Sequence, residues 1–316
     1  MTPGRTGFVA HADQERHDTG PGHPERAERH RAIVARIESS GLAAHLDRVE
    51  AVAVDPARLL LVHEGSHVAN VERAIASGAR ILDDGDTRVS AGSWRAALLA
   101  AGGTLDAVDR VMDGRWRNAF VAARPPGHHA ERGHAMGFCA FNNVAVAAAH
   151  LRQRHGLDRV AIVDWDVHHG NGTQHIFERD PSVYFASLHQ WPLYPGSGLA
   201  DERGIGPGEG ATRNCPLPPG SGDREWLSAF EDVVLRDLEA FAPQFVIVSA
   251  GFDAHADDPL GQTELTTGAY ARMTSLLAQF ARERCAGRLV LVLEGGYDLA
   301  ALAASVEAAT GELCTA

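Results

Sequence analysis

Short apolar runs alternate with amphipathic segments along most of the chain. The apolar runs predict strands at 119–123, 160–163, 183–189, 245–248 and 289–293, with a further short strand at 59–62. Helical spacing predicts helices over 24–40, 66–77, 90–112, 143–154, 226–241, 265–284 and from the last strand to about residue 312. Residues 1–23 and 190–222 are predicted to be loops.

This alternation of strands and helices predicts an α/β fold. No linker or shift in composition divides the chain, so we expect a single domain, 1–316, with an open, mostly parallel sheet and helices on both faces. Five strands run into polar or glycine-rich turns, at 124–129, 164–171, 187–189, 251–253 and 295–297. Because ligands bind at the carboxyl ends of strands in open α/β sheets, these turns are predicted to meet at one site. No P-loop or GxGxxG segment follows a strand, so a nucleotide cofactor is not indicated.

The stretch 160–173 carries the strongest chemical signal. After its apolar start, Asp164, Asp166 and His168 alternate with apolar residues, and a period of two places these side chains on one face of an extended segment. A lone Asp or His here would indicate an ordinary capped strand end. A whole cluster after a core strand costs several kcal/mol per group without partners, which favours a functional site.

Two strand ends together offer a set of metal ligands. Asp166, His168 and Asp253 are two carboxylates and an imidazole, a set that zinc or a similar divalent ion accepts while leaving positions for water and substrate. Asp253 is assigned only from its context on a second strand. A metal bound there would acidify water and polarise a carbonyl.

Proton transfer would fall to the tandem histidines. His128 and His129 follow a rigid Pro-Pro-Gly turn, and Asp164 and Asn171 are candidates for orienting their rings. Tyr297 follows two glycines and is a candidate for stabilising an oxyanion, although a packed core tyrosine is the alternative. Together these residues indicate metal-assisted hydrolysis of an amide.

Composition narrows the class of protein further. The formal net charge of −12 argues against binding to nucleic acid or to anionic membranes. The four cysteines are widely spaced and indicate reduced thiols rather than disulfides. With no signal-peptide pattern and no uncharged run near 18 residues, we expect a cytoplasmic protein.

At this point several runs resemble the zinc-dependent histone deacetylase family, in the class II branch that includes bacterial deacetylases and acetylpolyamine amidohydrolases. The matching runs, in the family's order, are RPPGHHA (124–130), MGFC (136–139), FNN (141–143), DWDVHHGNGT (164–173), SLH (187–189), SAGFDAH (249–255) and EGGY (294–297). The resemblance implies the arginase/deacetylase fold with an eight-stranded parallel sheet. It also implies a zinc amidohydrolase that removes acetyl groups from acetyl-lysine side chains or similar amines.

The resemblance also implies roles for individual residues. Zinc would bind Asp166, His168 and Asp253. His129 would be the general base and then the acid, oriented by Asn171. The remaining catalytic roles would be an electrostatic pair, His128 with Asp164, and a ligand of the acetyl carbonyl, Tyr297.

Further residues are assigned to the tunnel and to a second ion by the same resemblance. Phe138 and Tyr194 would line a narrow tunnel for the alkyl-amine chain, and additional candidates for substrate contact are Gly137, Leu260, Asp86 and His23. A structural potassium ion would be held by the side chains of Asp164 and Ser187, with backbone oxygens from Asp166, His168 and Leu188.

The alternatives concern the substrate and the state of the enzyme. Leu260 stands where the polyamine-selective eukaryotic member has a glutamate, and this argues against an acetylpolyamine deacetylase. That enzyme stays an alternative, because Asp83, Asp84 and Asp86 are candidates for the role of the glutamate. A catalytically inactive binding protein is the third hypothesis, and the intact ligand set argues against it. A homo-oligomer is a further expectation, and arginase-like manganese chemistry is disfavoured because no second shell of carboxylates is found.

Overall fold

A computed structural model describes residues 5–83 and 85–316. Its eight strands form one sheet in the order β2-β1-β3-β8-β7-β4-β5-β6, and every neighbouring pair is parallel. The strands are β1 (Arg5–Ala10), β2 (Leu46–Glu50), β3 (Trp116–Val121), β4 (Val160–Asp164), β5 (Val183–Gln190), β6 (Thr212–Leu217), β7 (Phe245–Ala250) and β8 (Leu289–Leu293). This confirms the predicted α/β class and the eight-stranded parallel sheet.

Helices connect the strands and cover both faces of the sheet. They are α1 (Ala27–Ser39), α2 (Gly65–Ala76), α3 (Ser93–Met112), α4 (Asn143–His155), α5 (Asn171–Phe177), α6 (Asp223–Ala229), α7 (Leu235–Phe241), α8 (Thr267–Arg284) and α9 (Leu299–Thr315), with a π-helical turn at Phe230–Val234 between α6 and α7. Short 3-10 turns lie at Ala12–Arg16, Leu42–Ala44, Pro56–Leu61 and Gly206–Gly208. None of these helices combines the length and the apolar character needed to cross a bilayer.

Two hydrophobic cores lie on opposite faces of the sheet. In β4, Val160 and Ile162 belong to one core, which is shared with α3 and α4, and Ala161 and Val163 belong to the other, which is shared with α8 and α9. Alternate residues of a strand point to opposite faces, so a strand buried on both sides is apolar throughout. This explains why the central strands were visible as continuous apolar runs.

Several predicted elements were wrong. The expected strand at 59–62 is part of the 3-10 turn Pro56–Leu61, which starts after Asp55 caps the backbone N–H of Ala57. Strands β1 and β6 lie within the segments 1–23 and 190–222 that were predicted to be loops. Residues 171–177, for which no element was predicted, form α5.

Candidate active site

The three strands at the centre of the sheet bring the predicted turns together. β4 is flanked by β7, and β7 by β8, with Asp164 in register with Ser249 and Ala250 in register with Leu293. The carboxyl ends of these strands therefore lie side by side. The segments that follow them carry Asp166, His168, Asp253 and Tyr297, and all four are buried.

Asp166, His168 and Asp253 converge on one point. Nδ1 of His168 lies 3.0 Å from a carboxylate oxygen of Asp166 and 3.2 Å from Oδ2 of Asp253. One ligand-type atom from each residue lies within 4.8 Å of the others. The structure thus brings together the predicted metal-binding residues, including Asp253, which the sequence assigned only from context.

The surroundings of this group fit a bound cation. Oδ2 of Asp253 is buried without a hydrogen-bond partner among the described residues, although His168 lies near it. A Cβ atom at Gly295 would come within 2.0 Å of this oxygen, and one at Gly251 within 2.2 Å of Oδ2 of Asp166. Two glycines therefore leave room around two buried carboxylates, and an unpaired buried carboxylate is costly unless a cation compensates its charge.

The two tandem histidines differ in their partners. Nδ1 of His128 bonds Oδ2 of Asp164 at 3.0 Å, and its Nε2 lies 3.9 Å from Asp166. Burial alone would lower the pKa of His128, but the negative charges of Asp164 and Asp166 raise it to about 10. The geometry therefore favours an imidazolium at this position.

His129 is held in the opposite charge state. Burial, together with the charges of His128 and His168, holds the pKa of His129 well below its usual value. Its Nδ1 lies 2.7 Å from Oδ1 of Asn171. An amide oxygen can only accept, so this Nδ1 carries the proton and Nε2 keeps a free lone pair.

Glu131 determines which way the Asn171 amide faces. Nδ2 of Asn171 donates to Oε1 of Glu131 at 2.7 Å, which leaves its Oδ1 pointing at His129. Nδ1 of the half-exposed His175 bonds the same glutamate oxygen at 2.7 Å. A chain of four side chains thus runs from the surface to His129. The sequence analysis missed Glu131, because nothing in the sequence shows where a glutamate five residues before Met136 points.

Tyr297 is fixed from both sides. Its backbone N–H donates to Oδ2 of Asp258 at 2.6 Å, and the guanidinium of the buried Arg29 lies 4.9 Å from the centre of its ring. Arg29 also donates to the backbone carbonyls of Glu294 and Gly296. Burial, with the charge of Asp253, raises the pKa of the phenol well above its usual value, so the hydroxyl keeps its proton and can donate it in a hydrogen bond.

Glu294 joins the tandem-histidine turn to the central strands. Its Oε2 accepts from the backbone N–H groups of Gly127 and His128, and its Oε1 accepts from the hydroxyl of Ser249. Sequence analysis matched Glu294 as part of a motif and gave it no role. Arg29 and Asp258 were also missed, since both act on the backbone of residues distant in the chain.

A cavity of about 280 Å³ opens above the site. Besides His168 and Leu193, its lining includes seven predicted substrate or catalytic residues, namely Asp86, His129, Gly137, Phe138, Tyr194, Leu260 and Tyr297. Phe138 has a φ of 68°, and this left-handed conformation is uncommon for a residue other than glycine. It places the Phe138 ring 6.0 Å from that of Tyr297, in an edge-to-face arrangement.

The remaining predicted residues lie near the cavity or behind it. His23 is outside the lining and packs edge-to-face on Phe138 at 4.7 Å. Oδ1 of Asp83 accepts three backbone N–H groups of its own loop, so this carboxylate is already engaged. Asp84 lies outside the described residues. Ser187 is the register partner of Asp164, and Leu188 follows it in β5, so the predicted potassium ligands are neighbours.

Comparison with known proteins gives a consistent family. The histone deacetylase domain matches residues 23–313. A probable deacetylase of Archaeoglobus fulgidus is 41% identical over 299 residues, covering 93% of this chain and 82% of the relative. The polyamine deacetylase HDAC10 of Homo sapiens is 48% identical over 190 residues, covering 58% of this chain and 28% of the relative.

A solved structure agrees with these sequence matches. The crystal structure of the HDA15 HD domain superposes with a TM-score of 0.92 at 40% identity, covering 99% of this chain and 90% of that one. The chain spans 43%, 41% and 52% of the lengths of three plant histone deacetylases that it matches. The family model and the archaeal relative nevertheless cover nearly the whole chain, which therefore belongs to the histone deacetylase family.

Proposed function

We propose that this protein is a zinc-dependent deacetylase that hydrolyses the acetyl amide of a primary amine carried on an alkyl chain, such as an acetyl-lysine side chain. One observation carries the proposal. Two buried carboxylates and an imidazole converge beneath a narrow cavity, one carboxylate oxygen has no hydrogen-bond partner within 5–83 and 85–316, and His129 and Tyr297 line the same cavity.

Zinc would be held by Asp166, His168 and Asp253. Carboxylate oxygens and an imidazole nitrogen are ordinary zinc ligands, and three protein ligands leave an open position, as catalytic zinc sites require. When bound, the ion supplies a Lewis acid that acidifies water and polarises the acetyl carbonyl. The family's zinc dependence and the match to its domain support this choice of metal.

His129 acts as the proton carrier. Its Nε2 takes a proton as the oxygen of water bonds to the acetyl carbon, and later delivers that proton to the nitrogen as the C–N bond breaks, so acetate and a free amine leave. The depressed pKa of His129 keeps it a base before the reaction. Asn171 and Glu131 hold the tautomer that this step needs.

Charge that develops on the carbonyl oxygen is met by two groups. The Tyr297 hydroxyl donates a hydrogen bond to it, and its position is fixed by Asp258 and Arg29. The imidazolium of His128, paired with Asp164, adds positive charge nearby. We propose further that Asp164, Ser187 and Leu188 hold a structural potassium ion behind this pair.

The cavity is suited to an alkyl chain. Phe138 and Tyr194 supply aromatic walls and Leu260 an apolar rim, which favours a methylene chain over a polar one. A polyamine is the second candidate, because Asp86 also lines the cavity and a carboxylate there would attract a second ammonium group. The human relative's polyamine activity is in keeping with that candidate.

Steady-state kinetics test both candidates. The zinc-loaded protein should hydrolyse an acetyl-lysine peptide with a higher kcat/KM than acetylated putrescine or spermidine. Asp86→Asn should lower kcat/KM for the polyamines and leave that for the peptide unchanged. If the polyamines are preferred and the preference disappears in Asp86→Asn, the second candidate is correct.

Tyr297→Phe separates an enzyme from an inactive binding protein. Loss of the hydroxyl should lower kcat about 10²- to 10³-fold with little change in KM, because the hydroxyl acts on charge that develops in the transition state. Zinc content should stay at the level of the unmodified chain. Full activity in this variant would refute the role given to Tyr297, and the absence of turnover in the unmodified, zinc-loaded protein would refute the deacetylase.

A further inference from the structure

A second group of carboxylate and imidazole side chains lies away from the active site. It consists of Asp109 in the last turn of α3, and His150 and His155 in the second half of α4. α3 and α4 lead into the starts of β3 and β4, so this group lies where the strands begin. We call these three residues the α3–α4 triad. Asp166, His168 and Asp253, which we call the catalytic group, follow the ends of β4 and β7.

The ring nitrogens of the α3–α4 triad aim at one carboxylate oxygen. Nε2 of His150 lies 2.8 Å and Nε2 of His155 lies 2.6 Å from Oδ1 of Asp109. The two imidazole rings stand edge-to-face with centres 5.8 Å apart. His150 is only 2% exposed, so packing fixes the direction of its Nε2, while His155 and Asp109 are partly open to solvent.

The arrangement matches the catalytic group in its spacing. Among the residues that the structure describes, only these two groups of three place one ligand atom per residue within 4.8 Å of the others. In both, imidazole nitrogens lie about 3 Å from carboxylate oxygens. The α3–α4 triad therefore repeats the spacing of the catalytic ligand set.

Helix electrostatics favour a cation at this place. Asp109 and His155 both lie in the last turn of their helices, where the carbonyl ends carry partial negative charge. A carboxylate in such a turn is unfavourable unless positive charge is near. Arg154 supplies part of this positive charge, since its Nε lies 3.6 Å from Oδ2 of Asp109. The other oxygen, Oδ1, bonds the two imidazoles.

We propose that Asp109, His150 and His155 form a second binding site for a first-row divalent cation, and that this cation is zinc. Two imidazole nitrogens and one carboxylate oxygen are a zinc ligand set that leaves one position to water, which the exposure of Asp109 and His155 allows. The ion links α3 to α4 and stabilises their packing. This inference does not depend on the proposed deacetylase activity.

Elemental analysis after equilibrium dialysis against zinc tests the site in untagged protein. The unmodified chain should retain about two zinc ions, His155→Ala and Asp253→Asn about one each, and the double variant almost none. His155 is partly exposed, so its removal should not prevent folding. His45→Ala, at an exposed histidine outside both groups, is the matched control and should retain about two.

Two further measurements distinguish the sites. In the Asp253→Asn background, zinc should raise the melting temperature, and adding His155→Ala should abolish that rise, since a ligand stabilises only the state that binds it. In the Asp253→Asn background, bound cobalt(II) should give the visible absorption bands of a four-coordinate ion. These bands should be absent in the double variant. Equal zinc content in His155→Ala and the unmodified chain, or no zinc effect in Asp253→Asn, would mean that the triad is an ion pair only and would overturn the proposal.

Discussion

The catalytic group and the α3–α4 triad use the same residue types at opposite ends of the sheet, and they differ in charge and burial. The catalytic group has two carboxylates and one imidazole, and Asp166 and Asp253 are 1% and 0% exposed. The α3–α4 triad has one carboxylate and two imidazoles, with solvent and Arg154 at hand. Uncompensated negative charge in a dry site is costly, whereas a near-neutral, partly wet group is stable by itself.

The two proposed metal sites therefore differ in how many of their ligand atoms already have hydrogen-bond partners. In the proposed enzyme a cation would compensate the catalytic group, where Oδ2 of Asp253 has no hydrogen-bond partner among the described residues. In the α3–α4 triad the Nε2 atom of each imidazole already bonds Asp109, although Nδ1 of His150 is buried without a partner among the described residues. A cation there would replace hydrogen bonds that already exist, so its affinity is expected to be the weaker of the two.

The largest expected effect comes from removing the unpaired carboxylate. Asp253→Asn should lower kcat/KM by about 10³-fold or more, because the metal and the chemistry it supplies are lost together. His155→Ala, which removes a ligand of the other group, should leave kcat/KM within about twofold. Hydrolysis of an acetyl-lysine peptide measures both. Comparable losses in the two variants would mean that the α3–α4 triad also controls hydrolysis and that the two groups are not independent.

The buried His63 should make the free energy of unfolding depend on pH. Nδ1 of His63 bonds the backbone oxygen of Glu131, and its Nε2 accepts from the backbone N–H of Asn142, so the ring is buried and neutral. Burial and the neighbouring His67 lower the pKa of His63 to about 4. The unfolded chain takes up this proton near pH 6.5, so the stabilising contribution is complete above that pH and is lost as the pH falls from 6.5 to 4.

The size of this effect is about 3 kcal/mol in the free energy of unfolding. Urea unfolding at pH 7 and at pH 4.5 measures it, and His63→Gln should show a smaller difference between the two pH values than the unmodified chain. Buried histidines that do not contact His63 contribute equally to both proteins and cancel in the comparison. An unchanged difference in His63→Gln would show that this histidine is not the group that titrates.

A smaller effect is expected from Glu131, which acts on His129 only through Asn171. Glu131→Ala should lower kcat about 10-fold with KM unchanged, because the amide is then free to turn its NH₂ toward His129. His175→Ala, which removes only the outer partner of Glu131, should change kcat less. Adding Asn171→Asp to Glu131→Ala should restore part of kcat, since both carboxylate oxygens accept and orientation no longer matters. A double variant no better than Glu131→Ala would reject this role.

The smallest effect is expected from Arg154, whose positive charge competes with zinc for Asp109 at the α3–α4 triad. Arg154→Ala should tighten zinc binding there by about threefold, because an exposed guanidinium near Asp109 contributes well under 1 kcal/mol. Isothermal titration in the Asp253→Asn background measures this without interference from the catalytic group. Weaker binding in Arg154→Ala would show that the arginine supports the carboxylate's position more than it competes for its charge.

The sequence predicted the central strands well and the outer ones poorly. β4, β7 and β8 are buried on both faces and appear as unbroken apolar runs. β2 and β6 are edge strands, and their exposed faces carry charged or polar residues, as in Leu46–Glu50, so no run appears. The apolar run at 59–62 suits a strand or a buried turn equally well, and only the Asp55 cap and Pro56 decide between them.

The active site was predicted where a motif places chemistry directly on a strand end. The residues next to Asp166, His168 and Tyr297 in the sequence were enough to assign these three side chains to the site. Glu131 and Asp258 act through hydrogen bonds to other residues' amides, and the α3–α4 triad joins positions 41 and 46 residues apart. Such contacts depend on the packing of helices whose relative positions no local pattern gives.

The strand order has a consequence for how the chain is made. β8, the last of the eight strands in sequence, lies at the centre of the sheet between β3 and β7. Until residues 289–293 leave the ribosome, β2-β1-β3 and β7-β4-β5-β6 are separate half-sheets, each with an unpaired apolar edge. Exposed edges of this kind pair with other chains, so a growing polypeptide is vulnerable to aggregation until β8 has been made. Tyr297 follows this strand, so a chain that ends before β8 also lacks the tyrosine of the candidate active site.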